Sequence, residues 1–344
     1  MPIYDDSVLN GYHGAIQFVR PAGRRKIEVA IHDVDGTHSL IRTWPPVMSR
    51  LLHYAMTCGL ADDFDRAGVA EQLSEVIAAE APDGLLPVRV NQPMLEETDR
   101  FCTESAGLAA LTQMEWAIRR AIELDCIPDR AELKLTESQR RVNSEIIRRI
   151  WAGQERFADL AEPADLLAFI TERTPRLFKL YDQVLNRASR HRNLALARQN
   201  PAKWRIPGAM EFMEYLHGIK VRNFFVTGSV VSDGGMADDV AALDYPVGPG
   251  KLVEDLVGCP WDRKWPKNEV MADLCKRLNL NPATTLILGD GRSEIQAGVD
   301  MGAVTISRLD ASAARLRQLH QQIGANLILA DFTDPVLRQV LRAE

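Results

Sequence analysis

Long apolar runs are missing from this 344-residue chain, and nothing in it approaches the roughly 20 residues that a helix needs to cross a bilayer. No membrane partner is expected. Cysteine is sparse: Cys58, Cys102, Cys126, Cys259 and Cys275 are odd in number, widely spread and form no Cys-x-x-Cys pair. That pattern argues against a structural zinc site or a disulfide framework and reads as small buried hydrophobes in a reducing compartment. A basic excess is absent too. The formal charge of −6 is the wrong sign for phosphate-backbone binding, so nucleic acid is not an expected partner. The first residues, "MPIYDDSVLN", are acidic and broken by polar side chains, unlike a secretory signal, and a cytoplasmic location is expected.

Several site signatures fail as well. No pair among the seven histidines has metal-ligand spacing. "GPGKL" lacks the phosphate-loop glycine, since Tyr245 stands at the required offset, and no Ser or Thr follows Lys251. The runs "RPAGRRK" and "RASRHR" read as solvated faces.

What is present is a core-forming composition, 46% apolar with 26% charged residues, arranged in three territories. The first is a short β-favouring run, Ile27, Val29, Ala30 and Ile31, stopped by the turn "HDVDGT". The second, from about His38 to Gln199, carries apolar residues at helical spacing and almost no strand signal. Examples are "PPVMSRLLHYAMTCGL", "VAEQLSEVIAAE", "LAALTQMEWAIRRAIELDC", "VNSEIIRRIWAGQERF" and "ADLLAFITERTPRLFKLYDQVLNRAS". The third alternates. Helix 208–217 leads to "RNFFV", "KNEVMADLCKRL" to "TLILG", the segment after Ser293 to "AVTIS", and "SAARLRQLHQQ" to "NLILA", with "DPVLRQVLR" as a closing helix.

Such alternation predicts a parallel sheet with helices on both faces, and the early strand must join it because a lone strand leaves both edges open. The expected fold is therefore α/β: a Rossmann-like core from residues 1–37 and 201–344, with an all-α cap domain, 38–200, inserted after the first strand.

In such sheets ligands sit beyond the carboxyl ends of the strands. Asp33 and Asp35 follow the first strand, Thr227 follows "NFFV", Asp290 follows "LILG", and Lys267 opens the preceding helix. These types suit phosphoryl transfer. Like charges about 4 Å apart repel by roughly 4 kcal/mol at an effective dielectric near 20, so an anionic nucleophile reaches a phosphate only if cations screen it. Asp33 and Asp290 could hold Mg²⁺, Lys267 adds a second positive charge, and the Thr227 hydroxyl and amides near Gly36 can donate to phosphoryl oxygens. Asp33 would attack phosphorus; Asp35 would protonate the leaving oxygen and later take a proton from water.

The motifs resemble those of the haloacid dehalogenase-like superfamily, in its phosphatase branch. "DVDGT" is similar to the family's Asp-x-Asp-Gly-Thr, "FFVTGS" to its strand-Thr/Ser motif, and "KNEVMADLCKRLNLNPATTLILGDGRSE" to its lysine helix followed by Gly-Asp-x-x-x-Asp. "IPGAMEFMEYLHGIK" resembles the helix before the second motif, so the likeness covers about 32–37 and 205–344. Two departures stand out. Glu294 replaces the usual Asp, one methylene longer but still able to orient the lysine, and Lys264 lies close to Lys267 as a second candidate lysine.

The resemblance implies a Mg²⁺-dependent phosphatase acting through an aspartyl-phosphate on a small phosphorylated metabolite. Mg²⁺ would be held by Asp33, Asp290 and the Asp35 backbone carbonyl. The phosphate would be held by Thr227, Gly228 and Lys267, with Glu294 in support. It also implies that a cap can close over substrate. Asp35 points to oxygen esters, because the family's dehalogenases lack it and its phosphonate hydrolases usually replace it. A phosphotransferase or phosphomutase using the same residues is the alternative, followed by a weakly active binding protein on the same fold.

Overall fold

Ten short strands build two sheets in the computed structural model, which describes residues 1–78, 92–127, 130, 133–260 and 264–344. They are β1 (Pro2–Tyr4), β2 (Gln17–Phe18), β3 (Arg25–Lys26), β4 (Val29–His32), β5 (Arg222–Val230), β6 (Leu256–Cys259), β7 (Thr285–Gly289), β8 (Val304–Arg308), β9 (Leu327–Leu329) and β10 (Leu341–Ala343). The larger sheet runs β2-β9-β8-β7-β4-β5-β6, with only the β2–β9 pair antiparallel. The smaller one, β10-β1-β3, clasps the two ends of the chain in antiparallel pairs.

β4 is buried at all four positions and lies in the interior of the larger sheet, between β5 and β7. The strands that follow it in sequence go first to one side and then to the other. That reversal places the topological switch point at the end of β4.

By their contacts the described residues form two compact units. Met1–Ile41, Leu194–Pro260 and Trp265–Glu344 make up one; Arg42–Asn193 and Lys264 belong to the other. The expected boundaries were 38 and 200. Residues 38–41 stay with the sheet unit because outgoing and returning chain pair there. Leu40 donates to the Trp204 carbonyl at 2.9 Å, and Ser39 bridges Arg205.

The helical unit contains α1 (Trp44–Thr57), α2 (Val69–Ala78), α3 (Gln92–Glu104), α4 (Ala110–Glu123), α5 (Glu137–Trp151) and α6 (Ala164–Leu185), and α7 (His191–Gln199) leads out of it. The end of the "VAEQLSEVIAAE" helix lies outside the described residues. Stacked Phe101 and Trp116, with Trp151 edge-on to both, sit in its core. α5 begins at a capping box, in which Thr136 and Gln139 satisfy each other's backbone amides.

The remaining helices, α8 (Ala209–Gly218), α9 (Gly235–Ala242), α10 (Lys267–Arg277), α11 (Arg292–Met301), α12 (Ala314–Ile323) and α13 (Val336–Val340), belong to the sheet unit. Strand alternation explains how they divide. Ala30, Leu286, Leu288, Val304 and Ile306 share one face and pack with Phe212 and Leu216 of α8 and Leu337 of α13. The intervening residues face the other way, toward α11, where Gly298 sits against Thr305 and Ile287.

Two details differ from the sequence reading. The closing helix shrinks to the five residues of α13 before β10, and the segment ahead of β4 contributes three further strands. Among the described residues, no helix is long and apolar enough to cross a membrane.

Candidate active site

The chain leaves β4 into a tight reversal. His38 and Ser39 both donate to the Val34 carbonyl at 2.8 Å, and Gly36 donates to the Ser39 carbonyl at 2.9 Å. Gly36 sits at φ +81, in the left-handed region. A Cβ there would lie 2.1 Å from Asp290 Oδ2, so only glycine lets the turn approach β7's end this closely. The Thr37 hydroxyl completes the approach by donating to Asp290 Oδ1 at 3.0 Å.

β5 arrives with a bulge. Its pairing with β6 is regular at Val226↔Val257 and resumes only at Val230↔Cys259, leaving Thr227, Gly228 and Ser229 out of step with the ladder. The freed segment turns inward. Ser229 N–H donates to Thr227 Oγ1 at 3.0 Å, and the Ser229 hydroxyl donates to Asp35 Oδ2 at 3.2 Å. Thr227 is buried and Gly228 is half-buried.

Lys267, the first residue of α10, is 1% exposed, and its ammonium lies 2.6 Å from Asp33 Oδ1 and 3.2 Å from Glu294 Oε2. Lys264 goes elsewhere. Its ammonium contacts Glu115 Oε2 at 2.6 Å and the Glu155 carbonyl at 3.1 Å. Of the two candidate lysines, Lys267 is therefore the one beside Asp33. Glu294, in the first turn of α11, accepts from Gly291 N–H at 2.6 Å with its other oxygen. Its extra methylene fits because residue 289 is glycine: a Cβ there would meet the Glu294 side chain at 2.3 Å.

One oxygen each from Asp33, Asp290 and Glu294 lie within 4.8 Å of one another. Three carboxylates around one ammonium leave an excess of buried negative charge. The acids show it. Burial, then the charges of Asp33 and Glu294, push the Asp290 carboxyl well above the usual range. Burial pushes Glu294 up to about 7 against the opposing pull of Lys267. Burial works against the charge on Lys267, but Asp33 and Glu294 outweigh it and hold its pKa above the ordinary value. A hard oxygen donor set with uncompensated charge fits a divalent cation that prefers carboxylates.

The structure thus brings Asp33, Lys267, Asp290 and Glu294 into direct contact, and ties Thr227 to Asp35 through Ser229. Three partners were not read from the sequence: Ser229, Thr37, and Arg308, which donates to the Gly36 carbonyl at 3.1 Å. Ser229 lies two residues after Thr227 in "FFVTGS", so its position was available; Arg308, at the end of β8, carried no local signal.

No family model matches this sequence, and neither does any curated protein. Solved structures show a likeness. One is a HAD family hydrolase from Deinococcus radiodurans with bound phosphate and sodium, at 13% identity, 92% of this chain and 99% of that one, TM-score 0.41. A beta-phosphoglucomutase from Clostridium difficile matches at 11% identity over 91% and 96%, TM-score 0.43. A phosphonoacetaldehyde hydrolase-like protein from Oleispira antarctica matches at 16% identity over 95% and 96%, TM-score 0.47. At scores this low the functional reading rests on the residues of this chain.

Proposed function

We propose that the chain is a haloacid dehalogenase-like phosphatase that hydrolyses a small phosphate monoester with Mg²⁺ as cofactor. The observation that carries this reading is Asp33, at the end of the buried strand β4, within 2.6 Å of a buried lysine and clustered with Asp290 and Glu294. Asp33, Asp290 and the Asp35 carbonyl would hold the cation, which when bound supplies positive charge against the carboxylates and the phosphate.

Asp33 attacks phosphorus and the ester oxygen leaves, forming an aspartyl-phosphate. Asp35, oriented by the Ser229 hydroxyl, gives its proton to the departing oxygen. Water then attacks the phosphorus, Asp35 recovers a proton from it, and inorganic phosphate departs while the Asp33 carboxylate is restored. Lys267 holds Asp33 in one orientation and offsets charge on the transferring group, and Thr227 and Gly228 supply donors to its oxygens. Glu294 fixes Lys267. A small substrate is favoured by the helical unit inserted in the chain directly after the catalytic turn, and Asp35 favours an oxygen ester.

Replacing Asp33 by Asn tests the proposal. Phosphate release from an aryl phosphate with Mg²⁺ should fall by about 10³-fold or more while the variant remains folded. An equal rate in wild type and variant would end it. Products assign the subclass: free phosphate marks a hydrolase, whereas a phosphorylated acceptor without free phosphate marks a transferase.

A further inference from the structure

Beneath the catalytic turn lies a buried chain of polar side chains that the proposed chemistry does not use. His32 Nδ1 is 3.0 Å from His38 Nε2, His38 Nδ1 is 3.3 Å from the Tyr245 hydroxyl, and His32 Nε2 is 3.2 Å from Asn223 Oδ1. All four residues are buried, and Phe332 stacks on the His38 ring.

The direction of every hydrogen bond follows from Asn223. Its amide nitrogen donates to the carbonyls of Met213, at 3.3 Å, and Leu252, at 3.1 Å. Turning the amide over would set its oxygen against both carbonyls, so Oδ1 faces His32. His32 Nε2 must then carry the proton. That makes His32 Nδ1 an acceptor, His38 Nε2 a donor, His38 Nδ1 an acceptor and Tyr245 the donor that ends the chain. Burial favours the neutral His38 ring, pushing its pKa well below the ordinary value, and keeps the Tyr245 proton in place by raising its pKa.

His32 and His38 are the two feet of the loop that carries Asp33 and Asp35. Their side chains are bonded directly across its mouth, while His38 N–H and Ser39 N–H hold its inside at the Val34 carbonyl.

We infer that the Tyr245–His38–His32–Asn223 chain is a positioning device: it sets the span of the catalytic turn and thereby the placement of the Asp33 and Asp35 carboxyls. Misplacement by about 1 Å can cost on the order of 10²-fold in rate, so a brace of this kind acts on turnover more than on substrate capture. His38 and Tyr245 are positioning residues, not catalytic ones.

The inference rests on the phosphatase reading for its kinetic arm and stands apart from it in its spectroscopic arm. Tyr245→Phe removes one hydroxyl, and His38→Leu removes both ring nitrogens. His38→Gln can rebuild the chain, its amide nitrogen donating to His32 and its oxygen accepting from Tyr245. We expect kcat to fall about tenfold in Tyr245→Phe and further in His38→Leu, with KM within about twofold and much of kcat restored in His38→Gln. Equal kcat in wild type and the first two variants overturns the inference, as does loss of kcat in His38→Gln equal to that in His38→Leu. Long-range ¹H–¹⁵N correlation at neutral pH should show His32 and His38 both as neutral Nε2–H tautomers, and either ring protonated on Nδ1 overturns it. Wild-type protein that releases no phosphate would remove the functional reading, and the tautomers would still decide whether the chain exists.

Discussion

Asp290 carries opposite consequences for chemistry and for stability. Its carboxyl is half-buried beside Asp33 and Glu294 and accepts from Thr37. Without a cation, this packing of like charge works against the folded state. Asp290→Asn keeps the shape and can still accept from Thr37. It should raise the metal-free stability by on the order of 1 kcal/mol, since one repulsive charge is gone. Mg²⁺ should raise the melting temperature of wild type by about several degrees and leave the variant nearly unmoved. Calorimetric scans of both proteins with and without Mg²⁺ check this, and an equal rise in both would remove Asp290 from the ligand set. Much at this scale was legible in the sequence: the first aspartate of "DVDGT", the lysine opening its helix and the acid after "LILG" are side chains that meet. Its place at the start of a helix and its spacing to Asp290 favoured Lys267 over Lys264; what the sequence did not show is where the second ammonium goes. Lys264 is taken by Glu115.

At the scale of elements, α11 is held against the sheet by a glycine. A Cβ on Gly298 would stand 2.6 Å from Thr305 Cγ2 and 2.9 Å from Ile287 Cδ1, both short, branched, buried side chains with little room to yield. Gly298→Val should therefore destabilise the protein by about 1–3 kcal/mol through overpacking, read as a lower denaturation midpoint. Because α11 also carries Glu294, the same variant should lose activity beyond its loss of stability. Wild-type stability in this variant would mean that the helix stands off from β7 and β8 at no cost. Periodicity revealed the strand–helix alternation, since each long element carries its own apolar repeat. The two- and three-residue strands β1, β2, β3 and β10 were invisible to it. They are too short to show a period, and they exist because distant segments, Pro2–Tyr4 and Leu341–Ala343 among them, find each other's backbones.

Across the whole molecule, buried histidines contribute to the response to acid. His320 is fully buried with its Nδ1 bonded to Ser307, and burial followed by Arg292 lowers its pKa to about 4; His32 is lowered to about 4 as well. Above about 6.5 these rings are neutral in both folded and unfolded chains and stability does not depend on them. Below that value the unfolded chain takes up protons that the native state refuses, so the contribution of each ring to stability falls as pH drops from about 6.5 to 4, by on the order of 3 kcal/mol. The raised carboxyls of Asp290 and Glu294 act in the opposite sense over this range, so the test is the difference between proteins: denaturant titrations at pH 7 and 4.5 should show a smaller loss, or a larger gain, in His320→Gln than in wild type. An equal pH response in both would mean that the His320 ring is solvated.

The sequence by itself determined the α/β alternation, the place of the helical insertion and the identity of the carboxylates and lysine, because each is carried by a local repeat or a short motif. Only the tertiary structure decided the strand order that sets β4 between β5 and β7, the partners Ser229, Thr37 and Arg308, and the histidine chain beneath the turn. Those depend on contacts between residues hundreds of positions apart, such as Thr37 with Asp290 or Arg308 with Gly36. No local pattern encodes such contacts; packing of the sheet creates them.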